Sequence, residues 1–182
     1  MWCTYGRRVI PGNFIYLTDI MYNPQIISKA GVILACYFKS MDVDYVVTVE
    51  TKGIPLAYEV AKSLGIELVI IRRENKVTEG PTVSINYLSG TSGRIQQMSL
   101  AKKSMKPSSR CVFIDDFLRG GGTAQGITDL LKEFDSELVG TGVLVDNIGV
   151  VNKRVTDYVS IIDIEYISED GKIKVTPSNL IK

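Results

Sequence analysis

The chain predicts an α/β fold, a mostly parallel twisted sheet flanked by helices, and three features carry that expectation. Short apolar runs bounded by turn residues read as buried strands: Tyr45 to Val49, Leu68 to Ile71, Cys111 to Ile114 and Leu138 to Val145. Stretches with apolar residues at helical spacing stand between them. Strands that alternate with helices imply parallel pairing through right-handed crossovers. With 182 residues, 45% of them hydrophobic and 23% charged, a single domain spanning 1–182 with a core of ordinary size is expected.

Each element follows from its local chemistry. Asn23-Pro24 is a turn and helix-start signal, and Ile26, Ile27, Ala30, Ile33, Leu34, Tyr37, Phe38 and Met41 recur at helical spacing. They predict a helix from Pro24 to Met41. Tyr45 to Val49 (YVVTV) is the first buried strand, Ile54 to Leu64 a helix closed by Gly65, and Leu68 to Ile71 a second strand. From Arg73 to Met98 the chain is polar and rich in Thr, Ser, Gly and Asn, with enough β-branched residues for a long hairpin. A strand at Cys111, a helix from Ala124 to Phe134, a strand from Leu138 to Val145 and a late strand around Val159 to Ile164 complete the order. Ligands on such sheets bind outside the carboxyl ends of the strands. The strands ending at Val49 and Ile114 both deliver polar, glycine-containing loops to that edge, so one site is expected there.

Composition removes several functions. There is no histidine, which excludes any His-based triad, general base or metal site. A net charge of +1 argues against a broadly basic nucleic-acid surface, although a local basic patch is compatible with it. Cys3, Cys36 and Cys111 are odd in number and lack metal-ligand spacing; Cys36 and Cys111 lie in apolar patterns, so buried reduced thiols are expected. No signal-peptide pattern opens the chain and no apolar stretch is long enough to span a bilayer. A cytoplasmic protein that does not engage membranes is expected.

The most informative segment is CVFIDDFLRGGGTAQG, Cys111 to Gly126. An apolar strand leads into Asp115 and Asp116, and Gly120, Gly121, Gly122 and Thr123 follow just before a helical pattern. Glycines let the backbone approach a ligand and take up positive φ. Thr123 stands where a helix N-cap is expected, and unpaired amides with the helix dipole suit a phosphate. The carboxylates suit sugar hydroxyls or a metal-bound group. A glycine run can equally be a plain tight turn, and adjacent acids a solvated strand end. The segment is not a Walker A loop, because no lysine precedes Thr123. A second loop, Glu50-Thr51-Lys52-Gly53, also precedes a helix and offers an ammonium to a second anion, though alone it also reads as an ordinary strand-to-helix connection.

The order strand, Asp-Asp, glycine loop, threonine, helix resembles the phosphoribosyl diphosphate (PRPP) signature of type I phosphoribosyltransferases. The resemblance extends over nearly the whole chain and is strongest to the effector domain of purine operon repressors. PGNFIYLTDI, TVETKGIPLAY, RRENKVTEGPTVSINYLSG, IQQMSLAKKSMK and FIDDFLRGGGTAQG carry it. It implies a type I phosphoribosyltransferase fold with a flexible β-hairpin loop and a small hood. By the same resemblance, Asp115 and Asp116 bind ribose hydroxyls, and Arg119 with Gly120 to Thr123 holds the 5-phosphate. Thr51, Lys52 and Gly53 hold the diphosphate, aided by Arg73 and Lys76, and the Thr51–Lys52 peptide is expected to be cis. Arg94, Lys102 and Lys103 are read as a solvated face. Mg²⁺ is implied together with PRPP, without a protein metal cage.

Two departures bear on catalysis. Active adenine transferases of this class carry a glutamate in the flexible loop where this chain has Asn86-Tyr87, and an amide cannot exchange a proton or offer full negative charge to a developing cation. Thr18 stands near where active enzymes have base-pocket residues. No catalytic residue is therefore assigned. The expected function is a PRPP-binding regulatory domain controlling transcription of purine synthesis genes, as a homodimer, with DNA contacted only through a winged-helix domain that Met1 leaves no room for here. The alternative is an active purine phosphoribosyltransferase joining a free base to PRPP; a purine-nucleotide sensor is a third reading.

Overall fold

A computed structural model describes residues 9–10, 14–15, 17–74, 80–89, 93–167, 173–178 and 180–181. The expected α/β architecture is present. In chain order the elements are β1 (Val9–Ile10), β2 (Phe14–Ile15), α1 (Thr18–Met21), α2 (Pro24–Phe38), β3 (Tyr45–Val49), α3 (Ile54–Leu64) and β4 (Glu67–Ile71). They continue as β5 (Thr82–Leu88), β6 (Ile95–Ala101), β7 (Arg110–Leu118), α4 (Gly122–Lys132), β8 (Glu137–Asn147), β9 (Val159–Ile167) and β10 (Ile173–Pro177). The main sheet has six strands in the order β10-β9-β8-β7-β3-β4, parallel except where β10 pairs antiparallel with β9. β5 and β6 form a separate antiparallel hairpin, joined to the end of β4 by an isolated Arg72–Ser99 bridge.

Local signals explain most boundaries. Asn23 caps α2, its side-chain oxygen accepting from the amides of Gln25 and Ile26 at 3.1 and 3.3 Å, with Pro24 at the first helical position. α2 ends at Phe38, short of the expected Met41, because the chain there enters a turn with Asp42 at φ 52°. Gly65 closes α3 as expected, in the left-handed conformation at φ 72° and donating to the Ala61 carbonyl. Cys111 is buried, which pushes its thiol up to about 12, with the Asp44 charge adding to the effect. Cys36 is instead exposed, because α2 turns Leu34, Ala35 and Phe38 toward the core and carries Cys36 to its outer face. Arg94, Lys102 and Lys103 are exposed, as expected of a solvated face.

The sheet is covered on both faces. α1, α2 and α3 pack with Val46, Val112, Ile114 and Leu144 on one side. α4 and the β5–β6 hairpin pack with Val47, Val49, Phe113 and Ile71 on the other. This follows from the connections: right-handed crossovers leaving neighbouring strands in opposite directions put their helices on opposite faces. From β3 the chain moves to β4 on one side, and from β7 it moves to β8 on the other. The β3–β7 seam is therefore the topological switch point of the sheet. No helix among the described residues is long and apolar enough to cross a membrane.

Close packing fixes where α2 and α3 sit. A Cβ built on Gly31 lies 2.5 Å from Glu59 Cβ and 3.1 Å from its backbone carbon, so these helices approach backbone to side chain. Gly31→Ala should lower unfolding stability by about 1–3 kcal/mol through overpacking, measured by urea denaturation; a variant as stable as the parent would show that the helices are not pinned at this crossing.

Candidate functional site

Two loops leave the switch point side by side. β3 ends at Val49 and hands the chain to residues 50–53 ahead of α3. β7 runs past the acids to Leu118 and hands it to Arg119, Gly120 and Gly121 ahead of α4. The expectation ended this strand at Ile114 with Asp115 and Asp116 beyond it. Both acids lie within β7, because β8 continues the ladder alongside, pairing Asp115 with Val143, Phe117 with Val145 and Leu118 with Asp146.

The loop after β3 meets strand β7 at Gly53. A Cβ there would lie 2.6 Å from Thr48 Oγ1, 2.7 Å from Asp115 Oδ1 and 3.2 Å from Asp115 Cα. Glycine is required at this point for a close approach, since any side chain would displace the carboxylate or the loop. Thr48 Oγ1 is buried without a hydrogen-bond partner beside this contact. Lys52 and Thr51 are exposed at the loop surface. The Glu50–Thr51 peptide is cis, one bond earlier than the Thr51–Lys52 bond expected; the motif marks the turn without marking which of its bonds inverts.

The glycine turn also differs in detail from its expectation. Gly121, at φ 71°, is the N-cap of α4, which starts at Gly122, and no side chain caps it. Thr123 therefore lies inside the first turn and is not the cap. The left-handed glycine redirects the chain earlier than a threonine cap would. The first intrahelical bond runs from the Gln125 amide to the Gly121 carbonyl at 3.0 Å, leaving the helix-start amides without an intrahelical acceptor. Phe113, Asp115, Phe117, Leu118, Arg119, Gly120, Gly121, Gly122, Thr123, Ala124 and Val143 line a hollow around this turn. The arrangement can hold an anion on backbone amides and the helix dipole.

Electrostatics connects the two loops. Asp115 Oδ1 accepts from the Asp116 amide at 2.9 Å. Burial pushes the Asp115 carboxyl well above the usual carboxylate range, the Asp116 charge pushes it further, and the nearby Arg73 charge opposes both. Arg73 Nε donates to the Glu50 carbonyl at 3.0 Å, and its amide donates to Glu50 Oε1 at 2.8 Å. Arg72 Nη1 pairs with Glu50 Oε2 at 3.0 Å. Glu50 thereby ties the end of β4 to the loop after β3 and holds Arg73 facing Asp115. Lys76, the other expected diphosphate residue, lies outside the described residues.

The hairpin closes one side of the site. Tyr87 is buried at 6% exposure, packs its Cβ where Gly126 of α4 leaves room (2.9 Å from a built Cβ), and donates to Gln96 Oε1 at 2.9 Å. Burial raises its phenol, while the Arg73 charge and the Thr123 side chain pull it down. Tyr87, expected in a flexible loop, is in this conformation an anchor of the hairpin on α4. Its neighbour Asn86 is exposed.

Four residues that shape the site carry no clear signal in the sequence. Glu50 stood inside the TVETKG motif but its sign is wrong for an anion loop, so its role as a tie was not visible. Arg72 carries no motif of its own, and its pairing with Glu50 depends on how β4 lies beside the loop after β3. Arg154 and Val155 gave no signal at all: the Arg154 amide donates to the Gly120 carbonyl at 3.0 Å, and Val155 Cγ1 comes within 2.7 Å of a Cβ built on Gly121. A distant segment thus seats on the outside of the glycine turn.

Comparison with known proteins agrees with this geometry. The phosphoribosyl transferase domain model matches residues 18–178. The chain is 47% identical over 177 residues to the purine biosynthesis transcriptional repressor PurR of Bacillus subtilis, covering 97% of this chain and 62% of that protein. It is 41% identical over 161 residues to the purine biosynthesis transcriptional activator PurR of Lactococcus lactis, covering 88% of this chain and 59% of that protein. The chain thus spans about three fifths of the length of these relatives. The crystal structure of adenine phosphoribosyltransferase from Thermoanaerobacter pseudethanolicus shares its fold, with a TM-score of 0.71 at 20% identity, covering 82% of this chain and 87% of that one. The fold is the type I phosphoribosyltransferase fold.

A raised carboxyl has a definite consequence for stability. Where the folded-state pKa of Asp115 exceeds its unfolded value, the native state binds more protons, so this group's contribution is intact below the unfolded carboxylate range and is lost as pH rises through the raised value. Asp115→Asn should therefore stabilise the ligand-free protein at neutral pH, by about 1 kcal/mol as is usual when an unfavourable functional group is removed, and should remove the part of the stability loss that sets in as pH rises above the ordinary carboxylate value of roughly 4. Thermal melts between that value and neutral pH test it; a destabilised variant with an unchanged pH profile would overturn the assignment.

Proposed function

The chain belongs to the phosphoribosyl transferase domain family, and on that premise we propose that it is the PRPP-sensing domain of a purine-biosynthesis transcription regulator. The observation that carries the reading is the contact of Gly53 with Asp115, which sets an anion loop and a glycine turn at one strand seam. In this reading Arg119 and Gly120 to Thr123 hold the 5-phosphate, chiefly through amides at the start of α4. Asp115 and Asp116 accept from the ribose hydroxyls. Thr51, Lys52 and Gly53 hold the diphosphate, with Arg73 and Lys76 adding charge from the β4 side.

Magnesium fits this arrangement as a companion of the ligand. Among the described residues no group of three or more His, Cys, Asp or Glu side chains could hold a metal, and this ion favours water, phosphate oxygens and few carboxylates. Asp115 and Asp116 are the carboxylates at hand. When bound with the diphosphate, the ion would offset its negative charge. The protein's own part is to hold the sugar and both phosphate ends in one orientation.

Sensing without turnover is favoured over catalysis. Asn86 supplies an amide where the active enzymes of the family carry a carboxylate, and the relatives at 41% and 47% identity are regulators. The catalytic alternative draws on the shared fold and on a lower sequence similarity to xanthine and adenine phosphoribosyltransferases. One of the two regulators is named a repressor and the other an activator. A domain common to both would report ligand occupancy and leave the sign of the response to the rest of the protein. In this reading DNA is contacted by a part of the full-length regulator that this chain does not span, a homodimer carries the response, and the setting is cytoplasmic. PRPP can shift the dimer between states only by its differential affinity for them.

Titration calorimetry with PRPP and magnesium should show binding that Asp115→Ala with Asp116→Ala weakens roughly 100-fold or more, the value of two hydrogen bonds to charged acceptors. Undiminished binding in that variant would remove these roles. Diphosphate release with adenine, guanine, hypoxanthine or xanthine should be absent, and robust turnover on any base would make the protein an enzyme.

A further inference from the structure

We propose that Asp146, Lys153 and Tyr158 form a buried clamp that positions the triple-glycine turn for its phosphate. The inference rests on the reading of that turn as a 5-phosphate site and adds the residues that hold it in place. Asp146 is 1% exposed, and the Lys153 side chain 9%. Lys153 Nζ donates to Asp146 Oδ1 and, at 2.9 Å, to the Tyr158 hydroxyl. The Tyr158 hydroxyl in turn donates to Asp146 Oδ2 at 2.9 Å, which closes a three-membered ring of contacts. Lys153 Nζ also stands 5.0 Å from the Tyr158 ring centroid.

The position of this ring gives it a task. Asp146 lies in β8 directly beside Leu118 of β7, the last strand residue before Arg119 and the glycines. Tyr158 immediately precedes β9. The clamp therefore fixes both ends of the 148–158 connection to the sheet at the level where the glycine turn departs. The residues after Lys153 are the ones that touch that turn: the Arg154 amide donates to the Gly120 carbonyl, and Val155 abuts Gly121. Apolar packing does not hold the far part of the connection, since Val151 is 79% and Ile148 47% exposed. A buried ion pair is a weak source of net stability compared with apolar residues of the same volume. Its contribution here is geometric: it sets a polar anchor one residue before the contact that braces a left-handed glycine.

These three side chains are positioning residues, acting on the ligand through Arg154 and Val155. Two variants keep a test independent of misfolding: Tyr158→Phe, which removes one hydroxyl, and Asp146→Asn combined with Lys153→Met, which removes both buried charges together. Titration calorimetry would use ribose 5-phosphate and magnesium diphosphate as separate probes, because only the first engages the glycine turn. Both variants should bind ribose 5-phosphate about tenfold more weakly, within the range of coupling between contacting groups, and magnesium diphosphate unchanged. Amide hydrogen exchange should quicken at Gly120 to Thr123 and stay unchanged in the β5–β6 hairpin. Equal losses on both probes, or exchange at the turn matching the parent, would overturn the clamp. If the parent bound neither probe, the phosphate assignment would fall, and exchange at Gly120 to Thr123 would still decide whether the clamp holds the turn.

Discussion

The close approach of Gly53 to Asp115 is the constraint on which the rest of this site depends. A parallel sheet that changes direction between β3 and β7 leaves a crevice at the carboxyl ends of those strands. A crevice alone recognises nothing. It becomes a site when the loops that leave it are held at a fixed separation, and here that separation is set by direct contact with no room for a Cβ. The buried Thr48 hydroxyl, without a hydrogen-bond partner, lies at the same contact. An unpaired hydroxyl and a buried acid both cost stability, and their coincidence at one seam is the pattern of a binding site built at the expense of the fold.

Three separate parts of the chain hold that seam from outside. Glu50, with Arg72 and Arg73, ties the loop after β3 to the end of β4. Tyr87 ties the hairpin to the first turns of α4. The 153–155 segment ties the glycine turn to β8 and β9. Each tie uses a backbone group or a buried side chain, so the loops themselves can carry exposed, chemically useful groups such as Thr51 and Lys52. Arg73 belongs to two of these relationships, fixed through Glu50 while its charge acts on both Asp115 and Tyr87.

The sheet was legible in the sequence because buried parallel strands announce themselves as unbroken apolar runs, and YVVTV matches β3 residue for residue. α3 was equally plain, bounded by the loop before it and by Gly65 after it. The two glycine loops could be placed at one edge from strand order alone. What was hidden depends on partners far apart in the chain. Asp115 and Asp116 extend β7 only because β8 lies beside them, and Cys36 is exposed only because of how α2 is rotated. The pairing of Gly121 with Val155 leaves no mark on either segment, since a valine in a loop has no local reason to be there. β10 follows the end of β9 with little apolar content, and its register with β9 contains an irregularity at Lys174 and Val175.

Charge explains why this architecture suits reporting on a ligand. The seam contains a carboxyl raised by burial and by its neighbour, and the Arg73 charge opposes both. Hydroxyl donors from a sugar would satisfy the ionised carboxylate, and the amides at the start of α4 would meet a phosphate on the opposite side. In the proposed reading, a ligand that met both loops would relieve this unfavourable arrangement at several points together. In the same reading a ligand without those hydroxyls, such as an isolated phosphate, would leave Asp115 uncompensated, and discrimination against it would follow from the same burial penalty. Sensing requires such a difference in free energy between empty and filled states, and a comfortable, fully satisfied pocket would have less of it to transmit.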